Sequence, residues 1–103
     1  MRYIMKFEMP IGAGNAALKD PQFGHKIGQL LAEIKAEAAY FTTINGNRGA
    51  YIIVNMTDAS QMPAIAEPFF LWLQGKVEWI PCMTPQDLQK AGPGIEAAVK
   101  KWA

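Results

Sequence analysis

The chain has 103 residues, half of them hydrophobic and 18% charged, with a net charge of +1. That length supports one domain around a single core. The basic residues are scattered, only Lys100 and Lys101 being adjacent, which argues against a nucleic-acid partner held by phosphate neutralisation; no apolar run nears the roughly 20 residues of a membrane-spanning helix, and the lone cysteine, Cys82, excludes an internal disulfide or a multi-cysteine metal site.

Residues Met1–Met9 alternate with charges and lack the apolar stretch of a signal peptide, so with its single thiol the chain reads as cytoplasmic. Across Arg2–Met9, Tyr3, Met5, Phe7 and Met9 alternate with Arg2, Ile4, Lys6 and Glu8, which predicts a strand with the first set beneath helices. Pro10 and the segment Ile11-Gly12-Ala13-Gly14-Asn15 read as a flexible turn, and Gly12-Ala13-Gly14 lacks the third glycine of a phosphate cradle. Asp20-Pro21 has the form of a cap and a first-turn proline. Phe23, Ile27, Leu30, Leu31, Ile34 and Ala38 make one apolar stripe, predicting a helix over 23–38.

Ala39–Ile44 is β-branched and aromatic, and Ala50–Met56 is almost continuously apolar. Both read as strands, the second covered on both faces, around a hairpin at Asn45-Gly46-Asn47-Arg48-Gly49. Asp58 and Gln61 match a capping box opening a helix over 58–74, within which Pro68 predicts a kink or restart. Phe69–Leu73 is apolar all the way round, which implies cover on more than one side. Lys76–Cys82 reads as a fourth strand, and Thr84-Pro85-Gln86-Asp87 as a further helix start, stopped by Gly92-Pro93-Gly94. In the tail, Ile95, Ala98, Val99 and Trp102 recur at helical spacing.

The order is βαββαβ, an α+β split-βαβ sandwich of the ferredoxin-like kind with an antiparallel sheet. Residues 1–103 form a single domain, with 83–103 a C-terminal helical extension. Helices cover only one face of such a sheet. The other face carries Arg2, Ile4, Lys6 and Glu8 and an apolar set from the third strand, a patch of about several hundred Å² that monomers rarely expose. A second copy offering the same face is the expected partner, in a homodimer whose sheets face each other as a barrel.

The hairpin with its Asn-Gly turn, the Glu67-Pro68-Phe69-Phe70 helix and the junction Val77-Glu78-Trp79-Ile80-Pro81-Cys82-Met83-Thr84-Pro85 resemble the dimeric α/β-barrel superfamily, and within it a small bacterial group of uncharacterised function. The resemblance implies a dimeric barrel. The superfamily includes cofactor-independent oxygenases of polyketide quinones, haem-degrading enzymes, isomerases and simple ligand binders, so it implies a small-molecule site without selecting the chemistry.

Candidate site residues follow from the same layout. Lys6 and Glu8 share the barrel-facing side of the first strand, and Glu78 lies on the neighbouring fourth. Charges in a partly closed space suit a general base (Glu8 or Glu78) and an oxyanion partner (Lys6), or an ion-pair network that sets dimer register. Tyr40, Tyr51, Trp72 and Trp79 supply aromatic walls for an apolar ligand, or plain core packing, and Arg48 in the hairpin is placed to meet an anionic group at the barrel mouth. His25, the only histidine, falls off the apolar stripe, which leaves haem without an axial ligand and a catalytic triad without its imidazole. Cys82 reads as an inert thiol, the methionines as core filler, and no cofactor or metal is implied. Three functions stay open: a small-molecule binder, a cofactor-independent monooxygenase or isomerase on an apolar oxygenated substrate, and a structural or regulatory protein making contacts through Phe69–Leu73 and Trp102.

Overall fold

In the computed structural model, which describes all 103 residues, strands β1 (Arg2–Glu8), β2 (Ala38–Ile44), β3 (Asn47–Asn55) and β4 (Lys76–Pro81) form one antiparallel sheet in the order β2-β3-β1-β4. Helices α1 (Ile11–Leu18) and α2 (Phe23–Glu33) follow β1, and α3 (Met62–Leu71) leads into β4. Two more, α4 (Pro85–Lys90) and α5 (Gly92–Trp102), close the chain. This α+β arrangement is compatible with a ferredoxin-like fold. No helix is long and apolar enough to cross a membrane.

The alternation of β1 sorts the sheet into two faces. Met5 pairs with Ile52 and Trp79, and Phe7 with Ala50 and Val77, all toward the helices. Met5, Phe7, Met9, Ala50, Ile52 and Val54 are buried there with Leu30 of α2 and Ile65, Phe69 and Leu73 from the α3 region. Phe7 and Phe69 set their ring centroids 4.9 Å apart, which ties the central strand to α3. On the opposite face no element of the chain packs over Tyr40, which stays 65% exposed. The nearly continuous apolar run of β3 therefore has its helix side covered while Tyr51 and Ile53 face outward.

Several boundaries differ from those predicted. The segment after Pro10 is a helix, not a flexible turn: Ala13, Ala16, Ala17 and Leu18 favour α1, and the helix is held by Gly14 N–H donating to Pro10 O at 2.9 Å. Of the two glycines that suggested a turn, Gly14 serves contact instead, buried against Arg48 and Met9, while Gly12 is exposed. Helix α2 stops at Glu33 rather than Ala38. Lys35 adopts φ 53°, its N–H donates to Ala32 O and Ala36 N–H to Leu31 O, a Schellman ending that turns the chain into β2. The hairpin is tighter than its five-residue signal, since Asn47, Arg48 and Gly49 belong to β3 and only Asn45 (φ 52°) and Gly46 (φ 78°) make the turn. The Asp58–Gln61 capping box is present, but it caps a short 3₁₀ turn (Ala59–Gln61), and α3 then runs through Pro68 to Leu71 without a break. Leu71 is 78% exposed, so the apolar run around it is covered on one side only.

The tail departs most from a packed domain. Helix α4 carries a capping box between Thr84 and Asp87, yet α5 contacts little beyond α4, and Ile95, Val99 and Trp102 are all exposed. The radius of gyration is 17.2 Å, against about 13 Å for a compact chain of this length.

Gly75, between α3 and β4, packs directly on β1: a Cβ there would overlap the Phe7 ring and lie 2.8 Å from Glu8 O. Gly28 on α2 is exposed, with nothing within 4 Å of such an atom. Gly75→Ala should therefore lose about 2 kcal/mol or more in urea unfolding. Gly28→Ala should gain roughly 0.5–1 kcal/mol from helix propensity.

Candidate functional site

The register brings four of the sequence-derived candidates into one line across the outer face of the sheet. Tyr40 pairs with Tyr51, Tyr51 with Lys6, and Lys6 with Glu78, one residue from each strand. Lys6 Nζ stands 3.8 Å from Glu78 Oε2, with Glu78 68% exposed, a loose ion pair that surrounding water screens. The adjacent line, Ala38, Ile53, Ile4 and Ile80, is wholly apolar.

Glu8 lies one pair further on, beside Lys76 and Gly49, and is engaged by the hairpin. Asn45 Nδ2 donates to Glu8 Oε1 at 3.0 Å and Asn47 Nδ2 to Oε2 at 2.8 Å. These bonds, Asn47's first, hold the Glu8 carboxyl below its ordinary range, with lesser help from Lys76 and Lys6. A carboxylate so stabilised is a poorer proton acceptor, which counts against Glu8 as a general base.

The remaining aromatics are on the other side of the sheet. Trp79 faces the helices and meets Tyr3 edge-on at 6.0 Å, and Trp72 rests on Phe23 of α2 at 5.6 Å. Tyr40 and Trp79 thus cannot grip one ring between them, and the four aromatics do not form a common wall. Arg48 lies in β3 rather than in the turn, on the helix-facing side with Ala50 and Ile52. Its Nη1 donates to Asn15 Oδ1 of α1 at 3.1 Å.

Arg48 borders the best-formed concavity of the molecule, a cavity of about 340 Å³ between α2 and the sheet. Phe23, Ile27 and Leu31 form its helix wall, Phe7, Ala50 and Ile52 its floor, and Phe41 overhangs it from the edge strand. Arg48 is the one charged residue among the fifteen that line it. Residue size accounts for the space. Gly24 on α2 and Ala50 on β3 leave the gap between helix and sheet unfilled. Sequence reasoning assigned this stripe to the core and missed the cavity; its only trace was the small residues on facing elements. His25 is exposed, Cys82 is a half-buried free thiol, and no three His, Cys, Asp or Glu side chains come together as a metal site would require.

No protein-family model matches this chain, and no curated protein matches it.

The hairpin bonds make a pH prediction. A carboxyl held below its ordinary value stabilises the fold above that value, and the contribution fades as pH falls through the folded-state pKa. Asn47→Ala should move the Glu8 titration upward toward the ordinary glutamate range in carbon-detected NMR, and leave that of Asp58, capped separately by the Ser60 N–H, in place.

Proposed function

We propose that this protein is a homodimeric binder of a small apolar molecule, a member by architecture of the dimeric α/β-barrel type. The observation that carries the binding half is the cavity of about 340 Å³, lined by apolar residues and glycines apart from Thr42 and Arg48. Ligand sites of small proteins begin near this size and combine apolar walls with very few polar groups. Binding is favoured over proton-transfer chemistry because no lining residue is an acid–base group that exchanges protons near neutral pH, a guanidinium keeping its proton throughout that range.

The dimeric half rests on surfaces left without cover. Tyr40, Tyr51, Ile53, Ile4 and Ile80 share the outer face, and the apolar stripe of α5 points away from its own subunit. A second copy laid face to face would remove this apolar area from water at about 25 cal/mol per Å², before the cost of association. The line of Tyr40, Tyr51, Lys6 and Glu78 then lies inside the interface, where like rows of the two copies set the pairing register. The α5 arm would reach across to the partner, its Trp102 being 79% exposed when the subunit stands alone.

Two measurements test this. Sedimentation equilibrium at micromolar concentration should give twice the 11.4 kDa chain mass, and Ile53→Lys should give the single-chain mass with an unchanged far-UV spectrum. A well-behaved monomer in the unmodified protein would defeat the dimer. Nile red, a neutral apolar dye, should bind once per chain. Gly24→Leu, which sets a bulky group at the cavity wall, should weaken it about tenfold or more. Equal affinity in both proteins would place the dye elsewhere and remove the cavity reading.

A further inference from the structure

We infer that in the homodimer α5 of each chain docks on the edge strand β2 of the other, its apolar stripe closing over Phe41 and the opening of the cavity beside it. This rests on the face-to-face dimer proposed above and adds the place where the arm lands.

Two surfaces of the subunit lack cover, and they lie at opposite edges of the sheet. The stripe Ile95, Ala98, Val99 and Trp102 on α5 is exposed throughout, because that helix contacts little beyond α4. At the far edge, β2 is open on both faces, Phe41 being 66% exposed on the helix side and Tyr40 equally bare on the other. Of the residues that line the cavity only Gly24, Phe41 and Thr42 are exposed, so it opens between the first turn of α2 and β2. Edge strands are normally guarded by charges or proline. β4 has Lys76, Glu78 and Pro81, whereas β2 reads Ala-Ala-Tyr-Phe-Thr-Thr-Ile and has no such guard.

Area shows that the sheet faces alone fall short. Four strands about 4.8 Å apart, of six to nine residues, present a face of about 450 Å², so two faces bury roughly 900 Å² between them. A stable, specific dimer buries about 1,200–2,000 Å². An 11-residue helix, about 16 Å long and 10 Å wide, removes about 300 Å² when laid on a matching surface, counting both sides. Two-fold symmetry supplies two such arms, which brings the interface into the usual range.

The rows of the outer face select the symmetry that brings arm and edge together. A two-fold axis lying across the strands at the row of Tyr40, Tyr51, Lys6 and Glu78 would set Lys6 against Lys6 and Glu78 against Glu78, a repulsive pairing. An axis along the strands, midway between β3 and β1, sets Tyr51 against the partner's Lys6 and Tyr40 against the partner's Glu78, where a phenol can donate to the carboxylate. In the adjacent row the same axis puts Ile80 over the partner's Ala38, a large side chain against a small one. It also sets β4 of each chain opposite the partner's β2, so α4 and α5, which follow β4, leave the sheet beside that edge. β4 ends at Pro81, level with Tyr3, while Phe41 is level with Phe7, about 13 Å further along. Together α4 and α5 span about 26 Å, enough to reach it.

The test is isotope-filtered NMR of dimers in which one chain carries carbon-13 and the other does not. Intermolecular NOEs should join the methyl groups of Ile95 or Val99 in one chain to the Phe41 ring in the other. Val99→Asp alters a side chain that is exposed in the single subunit, so it should leave the far-UV spectrum unchanged. By putting a charge into the contact, it should raise the dimer dissociation constant about tenfold or more in sedimentation equilibrium. NOEs from α5 that stay within one chain or miss Phe41, or an unchanged dissociation constant in Val99→Asp, would overturn the exchange of arms and leave the sheet-to-sheet dimer standing. A monomer in the unmodified protein would instead remove the dimer itself and this inference with it.

Discussion

The antiparallel pairing of β1 with β3 is the interaction on which the rest of the molecule depends. Its register puts Met5 beside Ile52 and Phe7 beside Ala50 on one side, and Lys6 beside Tyr51 and Ile4 beside Ile53 on the other. Because side chains alternate along a strand, a slip of one residue would exchange the two faces. Lys6 and Glu8 would then enter the layer now filled by Phe69 and Leu73, at a desolvation cost of about several kcal/mol each. The contrast between faces is steep enough that one register is strongly preferred. Everything of functional interest, the outer row and the inner cavity alike, is laid out from that register.

The two faces then have different fates. Toward the helices, burial is nearly complete at the centre, and the space that remains lies where Gly24 and Ala50 fail to fill it. Protein interiors normally close such gaps by choosing larger side chains, so a gap lined by phenylalanine and leucine and bordered by one arginine is a specific arrangement of sizes. Away from the helices, the isoleucines and tyrosines have nothing from their own chain to meet. The exposed stripe on α5 is a second unmet surface, carried clear of the domain by the short α4 between Thr84 and Ala91. A single subunit therefore keeps a gap inside and leaves an apolar sheet face and an apolar helix stripe uncovered outside.

The layout was largely legible from the residues, and its departures have local causes. Period two in Tyr3, Met5, Phe7 and Met9 and the three-to-four spacing from Phe23 to Ile34 were sufficient for the sheet and for α2, because burying one face of each element is what drives both. Helix α1 was misread because Gly12 and Gly14 weigh toward turns when counted alone, whereas in place Gly14 lets a helix settle onto Arg48. Pro68 was expected to interrupt α3, yet Ile65 and Ala66 before it and Phe69 after it are all buried, and the helix runs on through the proline to Leu71. The aromatic wall of Tyr40 and Trp79 dissolved for a plainer reason. Each was assigned to a site by its ring, while strand parity sent them to opposite faces.

What the sequence determined by itself was the kind and order of elements, the sidedness of each strand and the prospect of an uncovered sheet face, since these depend on spacing along the chain. Only the tertiary structure decided that Glu8 is bound by two hairpin asparagines, that Arg48 faces the helices beside Asn15, and that small residues on α2 and β3 meet across a void. Those facts depend on residues brought together from far apart in the chain, 33 positions for Asn15 and Arg48. A volume left empty between two elements has no signature in either one taken alone.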